Sequence, residues 1–289
     1  MSEPLHPRHA SGKAGITLRH LVLILVTVGT LMPVLWVFKM ALSDTQSFQG
    51  ADLSPIPADP SLANFRAVVG TREMDGSWLF GRQLLNSVVV STATTLFGIT
   101  LACTAAYAFS RFRFAGRRTG LFLFLVSQMF PGVMMMIPLY VIMEALHLLD
   151  TMLGLVLVYS TTSIPFSVWM LKGYFDTLPK DLEEAAVMDG ASPVRTFWSI
   201  VLPLSLPAVA ITALFSFMSA WNEFVLAYTF LSRQSAFTLP VIIRNYVGEH
   251  DVRWGLFAAA SLLVSAPVVA LFFTLQRYLV GGLTAGAVK

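Results

Sequence analysis

Six long apolar runs decide what this chain of 289 residues can become. They cover roughly 18–38, 84–109, 120–143, 153–171, 204–231 and 256–275, and the first is uncharged from Leu21 to Phe38. A helix crossing the hydrocarbon core of a bilayer needs about 20 apolar residues. A water-soluble chain with an oversized core is the alternative. It would carry about 25% charged residues, whereas here the charged share is 12% and the hydrophobic share 56%. The expected fold class is an all-α integral membrane protein with six transmembrane helices. Pro33, Pro131, Gly132, Pro138, Pro165, Pro207 and Pro267 lie inside the runs. They are expected to leave the spans unbroken, because neighbouring helices and hydroxyl side chains can satisfy the freed backbone groups. No small-residue cleavage site follows the first run and Lys39 bounds it, so it is expected to stay as an anchor.

Charge gives the expected orientation. Six spans return both ends to one face, which would hold 1–19, 110–119, 172–203 and 276–289. That face carries twelve of the 19 Lys and Arg residues, including Arg111, Arg113, Arg117 and Arg118 in the short segment RFRFAGRR. The other face carries seven: Lys39, Arg66, Arg72, Arg82, Arg233, Arg244 and Arg253. The positive-inside rule makes the richer face cytoplasmic. The expected layout is a cytoplasmic segment 1–17, a first span 18–38, an external loop 39–83, a core 84–280 and a cytoplasmic tail 281–289. Within the core, 172–203 is cytoplasmic and 232–255 external. Basic residues on both faces form no patch for a phosphate backbone, so membrane lipid is expected as a partner and nucleic acid is not. Cys103 is the only cysteine, which excludes an internal disulfide and a thiolate metal cluster.

The segment 180–203 reads as two short helices around a turn. Asp181 is expected to cap the first, with Glu183 and Glu184 near its positive end. Leu182, Ala185, Ala186 and Asp189 share one side, where the alanines allow close approach of another surface. Gly190 is a natural stop. Ser192 and Pro193 restart a helix as a cap and first residue. Val194, Phe197, Trp198, Val201 and Leu202 then make an apolar stripe. A helix lying on lipid would serve this pattern, but acidic residues are disfavoured beside anionic lipid. Docking into a cytoplasmic protein accounts for the acid, the small residues and the glycine together.

Glu184-Ala185-Ala186, Gly190, Ile200 and Leu202-Pro203 stand at the spacing of the EAA signature of permease subunits of bacterial ATP-binding-cassette importers. Asp189, Ala191, Phe197 and Pro207 fit its sugar-importing branch. The chain resembles that family over nearly its whole length, and most of all the MalG-like permeases of maltose and maltodextrin importers. The resemblance implies a type I importer permease (MetI-like) fold in the inner membrane, with a five-helix core in 84–280. Glu184, Ala185, Ala186 and Gly190 would couple to the ATPase, and Phe197, Ile200, Leu202 and Pro203 would pack the coupling helix. The implied partners are a second, MalF-like permease, a MalK-like ATPase pair and a periplasmic or lipid-anchored MalE-like sugar-binding protein. The 232–255 loop would enter the binding protein and the 281–289 tail would reach between the ATPase subunits. The cargo would be maltose, maltodextrin or a related oligosaccharide. Another sugar such as trehalose, or glycerol phosphate, is the alternative within the family.

No catalytic residue and no metal site are expected. Of the five lysines only Lys13 follows a glycine, and Ala14 comes next, so no phosphate-binding loop is present. The chain is expected to bind no cofactor, ATP and Mg²⁺ being used by the partner ATPase. Asn86, Ser87, Thr92, Thr94 and Thr95 cluster in the second run and receive no role. Asn222 and Glu223 interrupt the fifth run; they either line the translocation path or are hydrated near the external interface. On the 232–255 loop, Tyr246, Arg253 and Trp254 either meet the binding protein or anchor the chain among headgroups. A secondary transporter is the rival from another class, and it would need ion sites at mid-membrane and inverted repeats. An intramembrane enzyme would need a paired catalytic set. The sequence displays neither.

Overall fold

The computed structural model describes residues 13–44, 57, 59–248 and 252–285. Expectations placed on 1–12, 45–56, 58, 249–251 and 286–289 fall outside these. Two compact units divide the chain, one of 1–68 with 248–262 and one of 69–247 with 263–289. In the first, helix α1 (Lys13–Leu42) continues past Pro33 without a break and exposes its apolar side chains along most of its length. Asn64, buried on α2 (Ala63–Val69), donates to the carbonyls of Ala41 (3.1 Å) and Ser43 (2.7 Å) and closes the end of α1.

The second unit is built on α3 (Leu79–Arg111). Its buried face carries Ser87, Ser91, Thr94, Gly98, Ala102 and Ala106, small residues at helical spacing. In a bilayer, where lipid tails compete with apolar side chains, small residues let helix backbones approach. The helices that follow are α4 (Arg117–Met129), α5 (Gly132–Ala145) and α6 (Met152–Thr177). After them come α7 (Asp181–Met188), α8 (Pro193–Thr196), a π-helical turn (Phe197–Val201), α9 (Leu202–Leu204) and α10 (Leu206–Trp221). Short α11 (Val225–Phe230) and α12 (Leu239–Ile242) precede α13 (Trp254–Ala285). Gly98 marks the crossing of α3, α6 and α10. A Cβ there would lie 3.2 Å from Ser163 Oγ and 3.9 Å from Ser216 Oγ. Two apolar clusters flank this crossing. One joins Val90, Val158 and Tyr159 to Ala227 and Phe230. The other joins Ala106 and Tyr107 to Leu171, Phe175, Phe197 and Val201.

Two runs depart from the expected straight spans. The third breaks at Phe130–Pro131, and α4 and α5 meet at 105°. Proline disfavours the α region for the residue before it, and Phe130 is extended at φ −73°, ψ 130°. The fifth run is not one helix either: α10 ends at Trp221 and α11 begins at Val225. It is preceded by a 78° bend between 193–204 and 206–221. Pro33, Pro138, Pro165 and Pro267 sit inside helices as expected, while Pro207 starts one. Among the described residues four helices are long and apolar enough to cross a bilayer, and up to six spans result if each bent pair counts as one. Among the described residues no strand forms beyond a bridge between Arg72 and Trp78.

Candidate functional site

The turn between α7 and α8 has the geometry of a presented knuckle. Gly190 is left-handed at φ +83°. Its N–H donates to Val187 O (2.9 Å), and the Ala191 N–H donates to Ala186 O (2.9 Å), so the helix-ending carbonyls are satisfied. A Cβ at 190 would meet nothing within 4 Å, so conformation and not space demands glycine within this chain. Ser192 caps α8 by accepting from the Arg195 N–H (3.3 Å), with Pro193 next, as expected. Asp181 does not cap α7. The cap position falls to Lys180, which has no capping side chain, and Asp181 is the first helical residue. A cap must sit outside helical backbone geometry to turn its side chain back, and here helical geometry begins already at Lys180.

Burial sorts the expected coupling residues into two sets. Glu184, Ala185 and Gly190 are exposed, whereas Ala186 is buried. Phe197 and Val201 are buried; Ile200 and Leu202 are half-buried and Pro203 is exposed. The proposed stripe is therefore split: Val194 and Trp198 are 68% and 57% exposed. With Val187 and Met188 they give α7 and α8 an outward apolar surface around an exposed glutamate. Beside it lies a groove of about 500 Å³ between α3 and this segment, lined by Phe112, Glu184, Met188 and Pro193 among others.

A polar relay fixes the segment to the bundle, and sequence reading missed it. The Arg111 guanidinium, at the end of α3, donates from Nε to Glu183 Oε1, from Nη2 to Leu178 O (3.3 Å) and from Nη1 to Ser110 Oγ (3.0 Å). The Arg111 and Glu183 side chains are only 8% and 13% exposed. Tyr107 donates its hydroxyl to Glu183 Oε2 (3.1 Å), Ser110 donates to Asp176 Oδ1 (2.6 Å), and Lys172 pairs with Asp176. The Tyr107 ring lies against Phe197 at 4.9 Å between centroids. Glu183 thus belongs to the bundle, while its neighbour Glu184 faces outward. The one sequence signal was the i, i+4 pair Tyr107 and Arg111 on a single helix face, ending where the polar segment must return.

At the opposite end, the unassigned polar residues of α3 hold irregular backbone. Gln83 donates to Gln234 O (2.9 Å), Asn86 to Ser235 O (2.8 Å) and Phe237 O (3.0 Å), and Ser87 accepts from the Leu239 N–H (2.6 Å). Glu223 is half-buried and, one residue before the cap position Phe224, accepts from the N–H groups of Leu226 and Ala227 in the first turn of α11. Asn222 is exposed and donates to Met218 O. The expected external anchors are not alike. Tyr246 is 7% exposed, which corrects its reading as an outward contact. Arg253 is exposed, and Trp254 is half-buried with its ring against Phe257. Among the described residues no three His, Cys, Asp or Glu side chains could share a metal ion.

Asp150 clamps the loop before α6 to the chain after α11. Its carboxylate accepts from the Ser232 N–H (3.0 Å) and from Arg233 Nε (2.8 Å), and its own N–H donates to Phe230 O (2.9 Å). Burial opposes ionisation, but the Ser232 N–H and the Arg233 guanidinium outweigh it and hold the carboxyl below its ordinary value. A depressed folded-state pKa gives stability that is present above the unfolded value of about 3.9 and lost as pH falls through the folded value. Arg233 is largely exposed, so the clamp contributes about 1 kcal/mol or less. Hydrogen exchange of 231–233 is expected to be flat from pH 5 to 8 after correction for intrinsic rates. Asp150→Asn is expected to raise it severalfold at every pH in that window.

Comparison with known proteins agrees with this architecture. Residues 94–284 match the family described as binding-protein-dependent transport system inner membrane component. The chain is 35% identical over 271 residues to the trehalose transport system permease protein SugB of Mycobacterium tuberculosis, covering 93% of this chain and 96% of that one. It is 36% identical over 267 residues to the trehalose/maltose transport system permease protein MalG of Thermococcus litoralis, covering 92% and 94%. In fold it is similar to a chain of a bacterial transporter that imports the acidic polysaccharide alginate, with a TM-score of 0.77 at 23% identity over 96% of this chain and 99% of that chain. With an all-helical membrane bundle that ends in a presented turn, this chain belongs to the inner membrane component family of binding-protein-dependent transport systems, as a non-catalytic transmembrane permease.

Proposed function

We propose that this chain is one of two permease subunits of an ATP-driven importer that moves maltose, maltodextrin, trehalose or a related oligosaccharide into the cytoplasm. The observation that carries the reading is the turn at Gly190, which presents Glu184 and Ala185 outward while Arg111 and Glu183 tie the same segment to the bundle. A surface presented on a fixed base suits docking to a separate ATPase, a MalK-like pair that would use ATP and Mg²⁺. The relatives named for trehalose and maltose support a sugar cargo. The apolar faces of α4 and α5, where Met129, Val133, Met134 and Ile137 are more than 60% exposed, suit a second, MalF-like permease as well as lipid. A MalE-like binding protein would deliver the sugar at the 232–255 side. The basic bias supports a cytoplasmic position for 110–119 and the turn at Gly190.

Reconstitution in proteoliposomes tests this reading. The chain alone is expected to hydrolyse no ATP and move no sugar, and activity is expected only with the second permease, the ATPase and the loaded binding protein. A single cysteine at 115, in a Cys103→Ala background, is expected to label from the ATPase side. Sugar-stimulated ATP hydrolysis by the purified chain, or labelling of 115 from the binding-protein side, would sink the proposal.

A further inference from the structure

A second cavity, of about 540 Å³, opens between the loop that follows α3, the start of α4 and Lys172 of α6. Arg113, Arg117, Arg118 and Lys172 line it, and no Asp or Glu does. Two of these cations are committed: Arg117 Nε donates to Phe109 O (2.8 Å), and Lys172 pairs with Asp176 just beyond the cavity wall. Among the described residues Arg113 and Arg118 have no hydrogen bond or ion pair. The cavity also holds the N-terminus of α4, thirteen residues long, whose cap is left-handed Gly116 with no capping side chain and no acidic residue in the first turn. Free N–H groups and unpaired guanidinium groups thus converge on one concavity, which is the chemistry of a phosphate site.

What lies beside the cavity says which phosphate. Helix α4 rises from it with no buried residue, and Phe122 and Leu125 are 61% and 48% exposed. An anion entering at the base of α4 would therefore have an apolar ramp above it. The Arg111–Glu183 pair puts this loop at the same end of the bundle as the coupling segment, the end read as cytoplasmic. We infer that the cavity binds the headgroup of an anionic phospholipid, with Arg113 and Arg118 on the phosphate and the acyl chains along α4. Basic pockets between transmembrane helices at this face are suited to such headgroups. The inference rests on the membrane reading and is independent of which sugar is carried.

The test measures lipid retained by the full chain, purified from nanodiscs of phosphatidylcholine with or without phosphatidylglycerol, by native mass spectrometry. The wild type is expected to keep phosphatidylglycerol in preference to phosphatidylcholine, and excess inorganic phosphate is expected not to displace it. R113Q/R118Q is expected to reduce retention on the order of thirtyfold. R195Q, which removes a cation of the same end outside the cavity, is expected to leave it unchanged. Equal retention by R113Q/R118Q, an equal loss in R195Q, or displacement by inorganic phosphate overturns the inference. If the double variant fails to insert, the wild-type comparison decides: equal retention of the two lipids overturns the site and a clear preference supports it.

Discussion

Gly190→Val is expected to leave membrane insertion intact and to cut transport about tenfold or more. A β-branched residue at φ +83° is a steric outlier, and left-handed backbone costs other residues roughly 1–2 kcal/mol. Every 1.4 kcal/mol lost from the docking-competent turn is a factor of ten in binding. A Cβ at 190 meets no neighbour within 4 Å, so conformation and partner contact can be told apart. Gly190→Asn tolerates the left-handed region. If conformation alone matters, it should work nearly as the wild type does. If an ATPase surface closes on the glycine, Asn should fail as Val does. Gly190→Asp adds a second charge beside Asp189 and is expected to fail in either case. Glu184→Lys should fail with it, because it puts a cation at the positive end of α7. Transport and stimulated ATP hydrolysis, measured in complexes of matched subunit content, read the outcome. Near-normal values for Gly190→Asp would remove the segment from the coupling path.

Arg111→Ala is expected to have the largest effect of any single change outside that turn. It strips Glu183 of its charged partner while Tyr107 alone continues to donate to it. Removing one member of a buried pair costs about 3–5 kcal/mol, and a site at the end of the bundle falls at the lower limit, about 3 kcal/mol. Amide exchange in 181–188 should rise by about a hundredfold. Transport should fall with it, and the exchange of the core of α6 should stay unchanged. Arg111→Lys is expected to restore little, since one guanidinium serves Glu183, Leu178 O and Ser110 together and an ammonium cannot take up that fork. Protected exchange across 181–188 in Arg111→Ala would show that apolar packing of Phe197 and Val201 suffices to hold the segment.

Much of the fold was legible because membrane helices announce themselves in composition. Uninterrupted apolar runs have few alternatives when backbone groups must be satisfied internally. The break at Pro131 was not legible. Pro165 and Pro267 stand in equally apolar runs and remain inside helices, so proline alone does not say which helix will turn. In the coupling segment the cap at Ser192 and the stop at Gly190 were readable, because each is a local backbone requirement. The division of labour between Glu183 and Glu184 was not. It depends on Arg111, far away in sequence, reaching one carboxylate and not the other. The same limit applied to Asn86 and Ser87. Their partners are backbone atoms of 235–239, and backbone atoms leave no mark in a residue pattern. Tyr246 failed for the opposite reason: aromatic character suits an outer anchor and a core equally, and composition could not choose.

The bend between 193–204 and 206–221 bears on how motion travels. At 78° the two segments stand nearly at right angles. A push delivered along the first cannot slide the second along its own axis. It acts instead across the foot of α10, as on one arm of a bell crank. The geometry converts a displacement in one direction into a tilt in another. Because α10 crosses α3 and α6 at Gly98, Ser163 and Ser216, the fulcrum would lie among small side chains. Ser216 lies closer to Trp221 than to the foot of α10, so a movement of the knuckle at one end would arrive at Trp221 smaller and opposite in direction.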